Sequence, residues 1–91
     1  MKYRLQLTKI AKKELTCLEK SIQKQIAQKL RFYIAQNNPL QYAKKLKNNY
    51  IGAYRFRIGR YRAIFDVEDN GKISILLILR IKHRKEIYKK Q

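Results

Sequence analysis

Residues 54 to 65 read YRFRIGRYRAIF, arginine alternating with aromatic or aliphatic side chains around a central glycine. On a strand, successive side chains point to opposite faces. Tyr54, Phe56 and Ile58 therefore pack inward while Arg55 and Arg57 project together from the other face, and Arg62 joins them on the strand returning after Gly59. Several guanidiniums on one sheet face suit phosphate, since each presents a planar fork of donors with a permanent charge. Lys44, Lys45 and Lys47, with Arg60 and His83, extend the positive surface as residues expected to attract RNA through a nonspecific, salt-screened field.

The remaining inventory narrows the chemistry. His83 is the single histidine and Cys17 the single cysteine, and neither lies at metal-ligand spacing from the carboxylates, so no metal site is expected. The six acids, Glu14, Glu19, Asp66, Glu68, Asp69 and Glu86, form no evident pair for acid and base work. Three glycines make neither a P-loop nor a dinucleotide fingerprint, so no cofactor is expected. Arginine, lysine, tyrosine and one histidine can neutralise a phosphorane and assist proton transfer. RNA brings its own nucleophile, the 2'-hydroxyl, so metal-independent phosphodiester cleavage fits this set.

Ninety-one residues make one domain, 1–91, and a formal net charge of +17 calls for an acidic partner. With 45 % hydrophobic residues the chain has enough apolar material for a core, unlike a disordered basic tail. The lone cysteine and the absence of an apolar leader point to the cytoplasm, and the longest apolar run, Ile75 to Leu79, excludes a spanning helix and a membrane role.

The elements that must position the arginines follow from periodicity. Tyr3 to Leu7 alternates as a strand. Thr8 caps a helix running to about Lys20, and Ser21 caps a second whose stripe is Ile22, Ile26, Leu30, Tyr33 and Ile34, which reads Phe32 and Tyr33 as core or near-core. Asn37 and Asn38 before Pro39 stop it. Residues 40–52 read as a loop with a short helical turn. Strands are expected at about 53–58, 61–68 and 72–80, the last two joined by the hairpin signal Asp69-Asn70-Gly71, with a short helical tail after them. The fold class is α+β: two N-terminal antiparallel helices on one face of an antiparallel sheet in the order β-α-α-β-β-β, with the basic site on the other face.

Three patches, AKKLK at 43–47, YRFRIGRYRAIF at 54–65 and HRKEIY at 83–88, carry a resemblance to the RelE branch of the RelE/ParE toxin superfamily, and its element order matches along nearly the whole chain. The resemblance implies a type II toxin that cleaves mRNA in the ribosomal A site, leaving a 2',3'-cyclic phosphate, and is neutralised by a cognate acidic antitoxin. mRNA and ribosomal RNA are then its other partners. Arg55 and Arg57 fall on the family's paired basic strand positions, Arg62 on the arginine of its YR, Lys82 or Arg84 on its C-terminal phosphate-binding position, and Tyr88 on its C-terminal tyrosine; His83 is a further acid or base. Two rivals share these residues: a ParE-like poison of DNA gyrase without ribonuclease activity, and a noncatalytic RNA- or ribosome-binding module.

Overall fold

The computed structural model describes residues 2–47 and 52–87. The order is β1 (Lys2–Leu7), α1 (Lys9–Thr16), α2 (Lys20–Ile34), a 3₁₀ turn (Pro39–Tyr42), β2 (Ala43–Lys45), β3 (Tyr54–Ile58), β4 (Tyr61–Asp69), β5 (Ile73–His83) and α3 (Arg84–Ile87). The five strands form one sheet in the order β1-β5-β4-β3-β2. It is antiparallel throughout except that β1 runs parallel to β5, because the helical pair carries the chain from the end of β1 back across the sheet before β2 begins.

Alternation along the central strands divides the two faces. Phe56, Ala63, Phe65, Leu76, Ile78 and Ile81 turn toward α1 and α2 and close a core with Ala11, Ile26, Leu30 and Tyr33. The stripe expected on the second helix supplies its half of that core, and Phe32, next to it in sequence, lies outside. β5 carries an extra residue where the register shifts between Ile64 and Phe65, so Leu79 bulges out of the β4 ladder. Thr8 turns the bulge to use: its hydroxyl caps α1 by accepting from the Ala11 amide and donates to the Leu79 carbonyl, while its own amide donates to Ile78.

Boundaries of both helices and of the last strand, which runs to His83 and not to about residue 80, differ from the sequence reading. The first helix ends at Thr16, because Gln23 from α2 donates to the Thr16 and Leu18 carbonyls and so satisfies the groups a longer helix would have used. α2 starts two residues earlier than a Ser21 cap implies, with Glu19 as its N-cap and no side-chain capping bond. Residues 43–45, expected within a loop, form the edge strand β2; three residues are too few to show a period.

The face away from the helices is apolar under residues 52–53 and basic beyond. Ile64 is fully buried there, and the Ala53 amide donates to Asp66 Oδ1 at 2.8 Å. Gly52 sits at φ +151°, where a Cβ would stand 2.6 Å from Ile64 Cγ2 and 3.1 Å from Leu79 Cδ1. Gly52→Ala is expected to lower stability by about 2 kcal/mol, through strain and overpacking together, measured by urea denaturation at unchanged slope.

Candidate functional site

The register of β3, β4 and β5 assembles the site. Arg57 lies opposite Arg62, and Arg62 opposite Lys82, so one row of three basic residues crosses three strands. One pleat away, Lys44 lies opposite Arg55, Arg55 opposite Ile64, and Ile64 opposite Arg80. Neighbouring strands stand about 4.8 Å apart, and by register these positions lie on the face away from α1 and α2, although the Arg80 and Lys82 side chains reach back to Glu14 of α1. Register therefore sets Arg55, Arg57, Arg62 and Lys82 at neighbouring positions of the sheet, with Lys44 and Arg80 beside them.

Arg62 differs from the projecting residue that alternation suggests. It is 4 % exposed, and its Nη1 donates to the carbonyls of Gly59 and Tyr61 at 3.0 and 2.9 Å. The β3–β4 turn, with Gly59 at φ +59°, offers those carbonyls to it. The pairing with Asp66 that their shared face would allow is not formed, since Asp66 holds Ala53 instead. Arg62 is a fixed charge set into the sheet, with its Nε buried and unpartnered among the described residues. Arg57 is exposed and Arg55 half-buried beside it.

Lys82 is held from behind. Glu14 of α1 accepts from Arg80 Nη2 at 2.8 Å and Arg80 Nε at 3.1 Å, lies 3.2 Å from Lys82 Nζ, and accepts the Ile81 amide at 2.8 Å. The Glu14 carboxyl is lowered from its ordinary value: burial works to raise it, and the bonds from Arg80, the Ile81 amide and Lys82 outweigh that. Arg80 is raised, chiefly by its hydrogen bond to Glu14. Sequence reasoning passed over Glu14, although it is the only acid on a helix otherwise lined with lysine.

His83 stands apart from the arginine row. Register pairs it with Tyr61 on the helix-side face, where the two rings meet edge to face at 5.3 Å. Its Nδ1 accepts the Lys85 amide at 3.1 Å while Glu86 accepts the His83 amide at 3.1 Å, a reciprocal cap that starts α3. Lys82 also reaches Glu86, at 3.7 Å. His83→Ala is expected to fray α3 at a cost of about 1 kcal/mol, and His83→Asn to restore most of it, read by thermal melts. Arg84 and Arg60 are exposed at this end of the sheet and joined by a 2.7 Å bond from the Arg84 amide to the Arg60 carbonyl. Lys44, Lys45 and Lys47 are exposed at and just beyond the β2 edge. Tyr88 lies outside the described residues.

The chain is a small basic α+β domain whose sheet carries a row of basic residues, and the comparisons place it in a class. Residues 5–88 match the model of the ParE toxin of type II toxin–antitoxin systems. The chain is 28 % identical to Toxin RelG of Mycobacterium tuberculosis over 90 residues, 99 % of this chain and all of the relative. Its fold is similar to the RelBE2 toxin–antitoxin complex of M. tuberculosis (TM-score 0.69, 23 % identity, 92 % of this chain and 100 % of that one). It is also similar to the archaeal RelE–RelB complex of Pyrococcus horikoshii (0.65, 26 %, covering 92 % and 97 %) and to the RelB–RelE complex of Methanococcus jannaschii (0.60, 29 %, covering 91 % and 94 %). The chain belongs to the ParE toxin family of type II toxin–antitoxin systems, on the RelE branch of the RelE/ParE superfamily.

Proposed function

We propose that this toxin is a ribosome-dependent endoribonuclease that cleaves mRNA in the A site, acts in the cytoplasm, and is held inactive by a cognate acidic antitoxin. The observation that carries the reading is the Arg57–Arg62–Lys82 row with Arg55 beside it. In the reaction the 2'-oxygen attacks the adjacent phosphorus, the bond to the 5'-oxygen breaks, and a 2',3'-cyclic phosphate and a 5'-hydroxyl result. Arginine stays protonated throughout, so Arg55, Arg57 and Arg62 contribute charge and geometry. Arg62, already desolvated, acts at low reorganisation cost. Exposed Arg57 grips the phosphate, and Lys82, oriented by Glu14, or Arg84 completes the cradle. Tyr88 is assigned to orient the nucleophile or stack on a base, and the ribosome supplies the in-line geometry. The antitoxin reading rests on the toxin family and on neighbours solved as complexes with RelB.

Primer extension on a defined mRNA in a cell-free translation reaction tests this. New 5' ends within A-site codons, absent without ribosomes, are the expected result; intact mRNA with folded protein sinks it. The ParE name of the matching family supports a second reading, poisoning of DNA gyrase without RNA cleavage. Gyrase inhibition in the presence of intact mRNA is the outcome it requires.

A further inference from the structure

A run of six rings leads from the core to the surface. Tyr54 stacks on Phe65 (5.6 Å between centroids), Phe65 on Phe56 (4.4 Å) and Phe56 on Tyr33 (4.3 Å); Tyr33 meets Tyr42 at 5.3 Å, and Tyr42 meets Phe32 at 5.7 Å. The inner members belong to or pack on the core. The outer two do not: Phe32 is 47 % and Tyr42 39 % exposed, two of the three large hydrophobic residues exposed among those described. The sequence pattern had placed Phe32 at or near the core. The structure puts it at the surface, beside a second ring and under a cation, with Lys29 Nζ 5.8 Å from its ring centre and 6.0 Å from that of Tyr33.

The location matters as much as the exposure. Tyr42 ends the 3₁₀ turn that leads directly into β2, the outer strand of the sheet. On β2, Lys44 lies opposite Arg55 and so belongs to the basic face, while Ala43, opposite Phe56, faces the helix side where the rings emerge. One three-residue strand therefore separates the arginine face from the aromatic pair, and Lys44 and Lys45 on it are exposed. A polyanion on Arg57 and Arg55 that continues past Lys44 and over this edge arrives at Phe32 and Tyr42. Exposed rings with cations beside them are the two components of a platform for single-stranded nucleic acid, on which bases stack while the cations meet their phosphates.

We propose that Phe32 and Tyr42, with Lys29, form a base-stacking subsite for the single-stranded RNA that occupies the arginine face. The subsite rests on the RNA-directed reading above and extends it to a second contact on the substrate strand. It discriminates little between bases, because every base has a stacking face. Its occupant is assigned as RNA because the exposed Lys44 and Lys45 of β2 connect the arginine face to the rings, giving alternating charge and stacking surface along one edge; burial of the same rings by an antitoxin is the competing outcome of the test.

Fluorescence anisotropy on purified protein tests the subsite, with a labelled single-stranded RNA of about a dozen nucleotides and, in parallel, inorganic polyphosphate, which has charge but no bases. The Phe32→Ala/Tyr42→Ala protein is expected to bind RNA about 5- to 100-fold more weakly and polyphosphate unchanged. Phe32→Tyr/Tyr42→Phe keeps the rings and is expected to bind both like wild type. Should the double variant melt early, Phe32→Ala alone, which removes the more exposed ring, is expected to show the loss on a folded protein.

Wild-type RNA affinity in both alanine variants overturns the subsite. If Arg57→Ala still loses affinity in that case, the reading of the sheet face stands without it. An equal loss for RNA and polyphosphate overturns stacking as the mechanism. Normal RNA binding combined with lost antitoxin binding reassigns the patch to a protein interface. RNA binding by none of the proteins, wild type included, overturns the subsite, while the ribosome-dependent reading is decided separately by the primer extension above.

Discussion

Arg57→Ala is expected to melt like wild type and to cleave A-site codons about 100- to 1,000-fold more slowly, the range for losing one preorganised charge on a developing phosphorane. The guanidinium is exposed, and among the described residues it has no ion-pair partner, so its removal leaves no orphaned group behind. The loss falls on the reaction because Arg57 is the freely presented member of the row whose next member, Arg62, is locked beneath the surface. Arg57→Lys keeps the charge but not the fork, and should recover part of the rate. Single-turnover primer extension on programmed ribosomes reads both. Wild-type cleavage by a folded Arg57→Ala protein would remove the row from the mechanism.

Glu14→Ala is expected to cost about 2 to 3 kcal/mol of stability, the scale for charge-assisted hydrogen bonds left unmade, with partial exposure of the cluster setting the lower end. For a domain this small that is a fall of about 10 to 20 °C in melting temperature. Two guanidinium donors, an ammonium and the Ile81 amide lose their acceptor together. The same group gives stability a pH dependence. Because the folded carboxyl is lowered from its ordinary 4.5, its contribution is complete above that value and is lost as pH falls through the lower, folded one. Melts of wild type should therefore weaken below about pH 4.5. Glu14→Gln, which keeps the shape and loses the charge, should lack that component of the slope. A Glu14→Ala protein as stable as wild type would mean that the cluster is solvated and nearly neutral in energy.

Periodicity carried the α2 stripe, the Asp69-Asn70-Gly71 hairpin and the assignment of Arg55 and Arg57 to one face, because those features are local and repeat over several residues. The parallel seating of β1 on β5 was not local: nothing near Tyr3 records that its neighbour is Ser74. Alternation gave the face of Arg62 but not its fate, since burial depends on turn carbonyls that come into place only once Gly59 bends the backbone. The sequence groups His83 with the basic run that follows Arg80, and the strand is expected to end at about residue 80. It runs to His83, and parity then turns that ring to the helix side, edge to face with Tyr61. Glu14 was illegible as a site residue because its partners lie 66 and 67 positions away.

The seam between the first strand and the last also sets when, during synthesis, the fold can close. Thr8 and Leu79, bonded across it, are 71 positions apart, and β1 lines up with β5 along its whole length. Domains fold as they emerge from synthesis, and distant pairings form last. Until β5 has emerged, β1 and α1 have no edge to close on, and Lys82 has not met Glu14. A nascent copy therefore lacks the closed sheet, and the Arg57–Arg62–Lys82 row is completed only when the last strand has emerged.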